Sequence, residues 1–102
     1  MNLHNDIILI TGGTSGIGYA LAKQLMERGN TVIITGRSPE RLAAASHSLP
    51  GVHTFECDQS RPESISKMCE TLIRHFPKLN VLINNAGIGH KRNLNDKVNS
   101  ID

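Results

Sequence analysis

The chain has no tryptophan, one tyrosine and two phenylalanines among its 102 residues. An interior so poor in aromatics must be built from Ile, Leu, Val and Ala. Cysteine is nearly as scarce. Cys57 and Cys69 are too few for a disulfide scaffold and suit a reducing cytoplasm, where small buried thiols are common. Charge of one sign is lacking as well: the formal net charge of +2 is too small to make nucleic acid or an anionic membrane the main partner. No apolar run approaches the roughly 20 residues of a membrane span. Met1 to Asp6 lack the basic and long apolar regions of a secretory leader. The five histidines show no metal-ligand spacing with either cysteine, so no metal site is expected. What remains is 38% apolar and 20% charged, with nine Gly and four Pro. That composition suits a globular chain rather than a disordered or collagen-like one.

Short apolar runs alternate with helical stretches. Asp6 to Thr11 is a continuous apolar run, as in a strand buried on both faces. A glycine-rich turn follows, then a helix with Ile17, Leu21 and Leu25 at four-residue spacing and Ala20 beside them, capped at Gly29. Thr31 to Gly36 reads as a second strand. Ser38-Pro39-Glu40 starts a helix with a capping hydroxyl, a proline in the first turn and an acid at the positive end. Its inner stripe is expected at Leu42, Ala45, Ser46 and Leu49. Val52 to Cys57 reads as a third strand. Arg61 to Phe76 places Ile65, Met68, Cys69, Leu72, Ile73 and Phe76 on one helical face, and Pro77 stops it. Leu79 to Asn84 reads as a fourth strand. The order predicts an α/β fold, a Rossmann-like doubly wound parallel sheet. Right-handed crossovers then give the strand order 3-2-1-4, with a switch point between strands one and four. This unit is expected over residues 1–88, followed by a polar, Asn-rich tail over 89–102.

Thr11-Gly12-Gly13-Thr14-Ser15-Gly16-Ile17-Gly18 joins a strand to a helix, the context a phosphate-binding loop needs. It lacks the Gly-Lys-Ser/Thr ending of a P-loop, which disfavours ATP hydrolysis. Asn84-Asn85-Ala86-Gly87 closes strand four, the strand expected beside that loop. Together these motifs resemble the classical short-chain dehydrogenase/reductase family, which carries TGxxxGxG after its first strand and NNAG after its fourth. The resemblance covers residues 6 to 88. Leu49-Pro50, His53-Thr54, Cys57-Asp58 and Pro77-x-Leu79-Asn80-Val81 further resemble the wording of bacterial DltE-type oxidoreductases.

The resemblance implies a nicotinamide dinucleotide. Gly12, Gly16 and Gly18 would line its diphosphate, with Thr14, Ser15 and Ile17 nearby, and Thr11 would brace the loop against the Asn pair. Asp58 would accept from the adenine amine. Asn85, Ala86 and Gly87 would pass the ribose and nicotinamide side, while Asn84 ties strand four to its neighbours. NAD-preferring enzymes usually end strand two with an acid that binds the ribose 2′-hydroxyl. Here Gly36 holds that place and Arg37 follows. A guanidinium can hold a 2′-phosphate, so NADP(H) is favoured over NAD(H).

The family transfers hydride between cofactor and a carbonyl or alcohol substrate, using a Tyr-x-x-x-Lys pair and a Ser from later elements. Those are expected beyond Asp102, so no catalytic residue is assigned in this stretch. Tyr19-x-x-x-Lys23 has the spacing but lies on the helix after the diphosphate loop, and a surface Tyr with a solvated Lys is expected. The chain reads as a truncated, cofactor-binding portion of an oxidoreductase. The alternative is a non-catalytic nucleotide-binding or vestigial fragment. A small-molecule substrate and a homo-oligomer are expected of the complete enzyme. The lone stretch is expected to be inactive, marginally stable and prone to association along strand four.

Overall fold

The structure, a computed structural model, describes residues 4–14 and 16–85, and the expected tail over 89–102 lies outside them. Four parallel strands form one sheet in the order β3-β2-β1-β4. They are β1 (Ile7–Thr11), β2 (Thr31–Gly36), β3 (His53–Glu56) and β4 (Val81–Asn84). The connecting helices are α1 (Gly16–Glu27), α2 (Pro39–Ser48) and α3 (Pro62–His75). The strand order and fold class therefore match the sequence expectation. β3 and β4 are shorter than expected: Val52 and Cys57 flank β3, and Leu79 and Asn80 precede β4. No described helix is long and apolar enough to cross a membrane.

Alternation along the strands builds two cores. Ile8, Ile10, Val32 and Ile34 face α1 and α2, where Ala22, Leu25, Leu42, Ala45 and Leu49 cover them. Leu9 and Ile33 point the other way, toward Met68 and Leu72 of α3 and the buried Cys57. Strands β1 and β2 are covered on both faces, which explains their unbroken apolar runs.

The helix ends obey their local chemistry. Gly29, at φ +90°, closes α1. Its N–H donates to the Met26 carbonyl at 3.0 Å, and the Asn30 N–H donates to Leu25 at 3.2 Å. This is the left-handed glycine cap that only a residue without Cβ adopts freely. Asn30 also accepts from the Asp6 N–H at 3.0 Å, tying the helix end to the start of β1. Ser38 caps α2 by accepting from the Arg41 N–H at 3.2 Å. Asn80 does for β4 what Asn30 does for α1: its Oδ1 accepts from the Ile7 N–H at 2.9 Å and its Nδ2 donates to Asp6 Oδ1 at 2.8 Å.

Three stripe assignments are corrected. On α1 the buried positions are Gly18, Ala22 and Leu25, not Ile17 and Ala20, because small residues let the helix lie close to the sheet. Ile17 is 68% exposed. On α2, Ser46 is exposed, since the narrow contact is filled by Leu42, Ala45 and Leu49. On α3, Cys69 is exposed and Ile73 is 65% exposed, because the contact with the sheet is made by the buried Met68 and Leu72 with the partly buried Ile65. Leu82, beside Leu9 on the α3 face, is likewise exposed.

Candidate functional site

The loop between β1 and α1 is fastened from three sides. From β2, the Thr35 carbonyl accepts from the N–H groups of Gly12 at 3.0 Å and Gly13 at 3.2 Å. Thr35 is buried, and its Oγ1 adds a longer contact with the Gly12 N–H at 3.3 Å. From β4, Thr11 Oγ1 donates to Asn84 Oδ1 at 3.0 Å, and Asn85 Nδ2 donates to the Gly12 carbonyl at 3.0 Å. Thr11 and the Asn pair are thus brought together as expected. From α1, Gly18 leaves the space that Asn85 fills: a Cβ at Gly18 would stand 2.5 Å from Asn85 Nδ2 and 2.8 Å from the Gly12 carbonyl oxygen.

Gly12 and Gly13 therefore direct their N–H groups inward. The amides of Gly16, Ile17 and Gly18 open α1, where no preceding helical carbonyl can accept from them. Gly16 has φ +63° and open space around its Cα. These first-turn amides and the partial positive charge of the helix end are the chemistry that an anionic group would require. Ile17 stands exposed beside it.

Arg37 and Asp58 meet at the C-terminal ends of β2 and β3, in an open cleft also lined by Glu56, Cys57, Arg61 and Lys67. Gly36, before Arg37, has no room to spare: a Cβ there would lie 3.0 Å from Thr14 Cγ2. A longer acid at that position would have to push Thr14 aside. Asp58 Oδ1 accepts from the Ser60 hydroxyl at 2.7 Å and the Ser60 N–H at 3.0 Å. These bonds, the hydroxyl first, hold the Asp58 carboxyl below its ordinary range; slight desolvation opposes them, and the positive charges of Arg37 and Arg61 assist.

Of the residues expected to form the site, the structure places Gly12, Thr14, Gly16, Ile17, Gly18 and Asn85 around the loop and Arg37 with Asp58 at the cleft. Ser15, Ala86 and Gly87 lie outside the described residues. Three contributors were not singled out from sequence. Gly13 is needed because a Cβ would lie 2.5 Å from Ile34 Cγ2. Thr35 had no signal beyond lying in a strand. Ser60 had one: an Asp followed two residues later by Ser is the pattern of a side-chain-closed turn.

Tyr19 is not the free surface residue expected. It is half-buried, and its hydroxyl meets Ser48 Oγ at 2.7 Å. Ser48 Oγ donates to the Ala45 carbonyl, so Tyr19 is the donor to Ser48. The tyrosine is thereby occupied in joining α1 to α2, while Lys23 is exposed.

The profile of the short chain dehydrogenase family matches residues 6–100. The uncharacterized oxidoreductase DltE of Bacillus subtilis is 50% identical over 88 residues, covering 86% of this chain and 35% of that protein. The NADP-dependent 3-hydroxy acid dehydrogenase YdfG of Salmonella typhi is 36% identical over 103 residues, covering 94% of this chain and 42% of that protein. Among solved structures, a short chain dehydrogenase from Bacillus anthracis superposes with a TM-score of 0.73 at 35% identity, over 79% of this chain and 34% of that one. The chain thus spans roughly a third of the length of relatives it matches.

Proposed function

We propose that this chain, which belongs to the short chain dehydrogenase family, is the cofactor-binding portion of an oxidoreductase that moves hydride between NADP(H) and a carbonyl or alcohol substrate. The observation that carries the cofactor preference is the end of β2. Gly36 offers no acid to a ribose 2′-hydroxyl, Thr14 crowds the space an acid would need, and Arg37 stands exposed next to it. A 2′-phosphate gains charge-assisted hydrogen bonds from the guanidinium. Around that preference, the first-turn amides of Gly16, Ile17 and Gly18 would hold the diphosphate. Asp58 would accept from the adenine amine, and the exposed Ile17 side chain would be covered by the bound dinucleotide. Thr14 and Ser15 would complete the loop, and Asn85, Ala86 and Gly87 the ribose side.

The cofactor, when bound, supplies the hydride chemistry; this stretch supplies its binding and orientation. Proton transfer needs a tyrosine, and the one tyrosine of this sequence is committed to Ser48. We propose that this stretch on its own is inactive. We place the protein in a reducing cytoplasm, in keeping with two free thiols.

Titration of the chain with NADPH and NADH tests the reading. NADPH should bind more tightly, and Arg37→Asp should shift the preference toward NADH by about tenfold or more. Tighter binding of NADH by the wild type would overturn it.

A further inference from the structure

Asp58 is held more firmly than an exposed turn acid requires. Its Oδ1 takes both donors of Ser60, the hydroxyl at 2.7 Å and the N–H at 3.0 Å. Its backbone is fixed too. The Asp58 N–H donates to Ser64 Oγ at 3.0 Å, and the Asp58 carbonyl accepts from the Arg61 N–H at 3.0 Å. Ser64 Oγ in turn lies 3.7 Å from the sulfur of Cys57, which is buried. Among the described residues, Oδ2 has no donor. Ser60 therefore engages one carboxylate oxygen with two donors, restrains the group from turning about its terminal bond, and leaves the other oxygen without a donor among the described residues, in the cleft that Arg37 also lines.

We propose that Ser60 is a positioning residue for base recognition: by locking Oδ1 it presents Oδ2 as a fixed, acceptor-only group that selects a purine carrying a 6-amino group over one carrying a 6-oxo group. The proposal rests on the assignment of the adenine end of the cofactor to Asp58. A carboxylate accepts from an exocyclic amine and repels a carbonyl oxygen. A carboxylate free to rotate could swing its oxygens away from a 6-oxo group and would penalise that base less.

The test is NMR titration of the chain with 5′-AMP and 5′-IMP, which differ at that position and omit the 2′-phosphate question. The wild type should prefer AMP by about tenfold, the size of a hydrogen bond to a charged group. In Ser60→Ala, which loses the hydroxyl bond and keeps the backbone N–H, the preference should fall by about threefold or more, and Ser60→Thr should keep it. Asp58→Asn retains a carbonyl for Ser60 and places an amide donor in the open position, so it should turn the preference toward IMP. A Ser60 that merely supports the fold would weaken both nucleotides equally; an unchanged ratio in Ser60→Ala, or retained AMP preference in Asp58→Asn, overturns the proposal. If AMP binds without any preference over IMP, the Asp58 assignment itself falls and takes the role of Ser60 with it.

Discussion

Gly18→Ala puts the packing of the glycine loop to a quantitative test. The new Cβ would stand 2.5 Å from Asn85 Nδ2, 2.8 Å from the Gly12 carbonyl oxygen and 3.0 Å from Gly13 Cα. Asn85 can swing away, but the other two atoms are backbone, and that backbone is bonded to Thr35. The helix must therefore move outward. Overpacking of this kind costs about 1–3 kcal/mol. Loss of the Asn85–Gly12 bond adds about 1 kcal/mol. Alanine returns about 1 kcal/mol through its better helix propensity. The net expectation is a destabilisation of about 2 kcal/mol, or a fall in Tm of roughly 8–16 °C for a domain this small. Urea and thermal unfolding followed by circular dichroism measure it. Gly16→Ala is the control: it meets nothing within 4 Å and bears only the strain of φ +63°, about 1–2 kcal/mol. A Gly18→Ala chain as stable as the wild type, with the Asn85 side-chain amide resonances unmoved, would refute the packing argument.

Tyr19→Phe should cost about 1 kcal/mol by removing the bond to Ser48, read by urea unfolding; in a longer form with turnover, it should leave kcat nearly unchanged, and a large loss would reverse the role given to Tyr19. Acid should weaken the fold at the start of α3. Asp58 and Glu63 both titrate below their ordinary values, Asp58 through Ser60 and Glu63 through its own backbone N–H and then Arg61. Their contribution is complete above the unfolded carboxylate range and is lost as pH falls through the lower folded values. Unfolding midpoints should therefore drop below about pH 4, and less so in Ser60→Ala; no pH dependence there would contradict the bonding described. Leu82→Lys should suppress association of the chain in sedimentation velocity by charging the exposed β4 edge, and unchanged association would place the sticky surface elsewhere.

The layout was legible in the sequence because it is written in strong local signals. Two unbroken apolar runs marked the doubly covered strands, while Gly29, the Ser38-Pro39 pair and Pro77 punctuated the helices. The glycine loop and the Asn pair were legible as motifs, and their meeting followed from the crossover rule. What was lost depended on distances between segments. Hydrophobic spacing weighs a side chain by its size, so it chose Ile17 where the contact is made by Gly18 and Ala22, the small residues that permit close approach. It also drew the α3 stripe wider than the sheet beneath it, taking in Cys69 and Ile73. The anchoring by Thr35 belongs to register across strands, which no single segment expresses.

The Asn85–Gly12 bond joins residues 73 positions apart in the chain. On a growing polypeptide this sets an order of events. β1, β2 and β3 can come together with α1 and α2 while later residues are still being made, and Thr35 can seize the loop amides at that stage. The fourth strand arrives last, and parallel pairing over so long a loop is intrinsically slow. Until it docks, β1 has a bare side and the loop holds only the β2 half of its fastening. On the proposed reading, competence to hold an anion would thus mature late, at the moment the Asn pair closes on the glycines, and a mutation that delays β4 would delay binding before it changed any contact with a ligand.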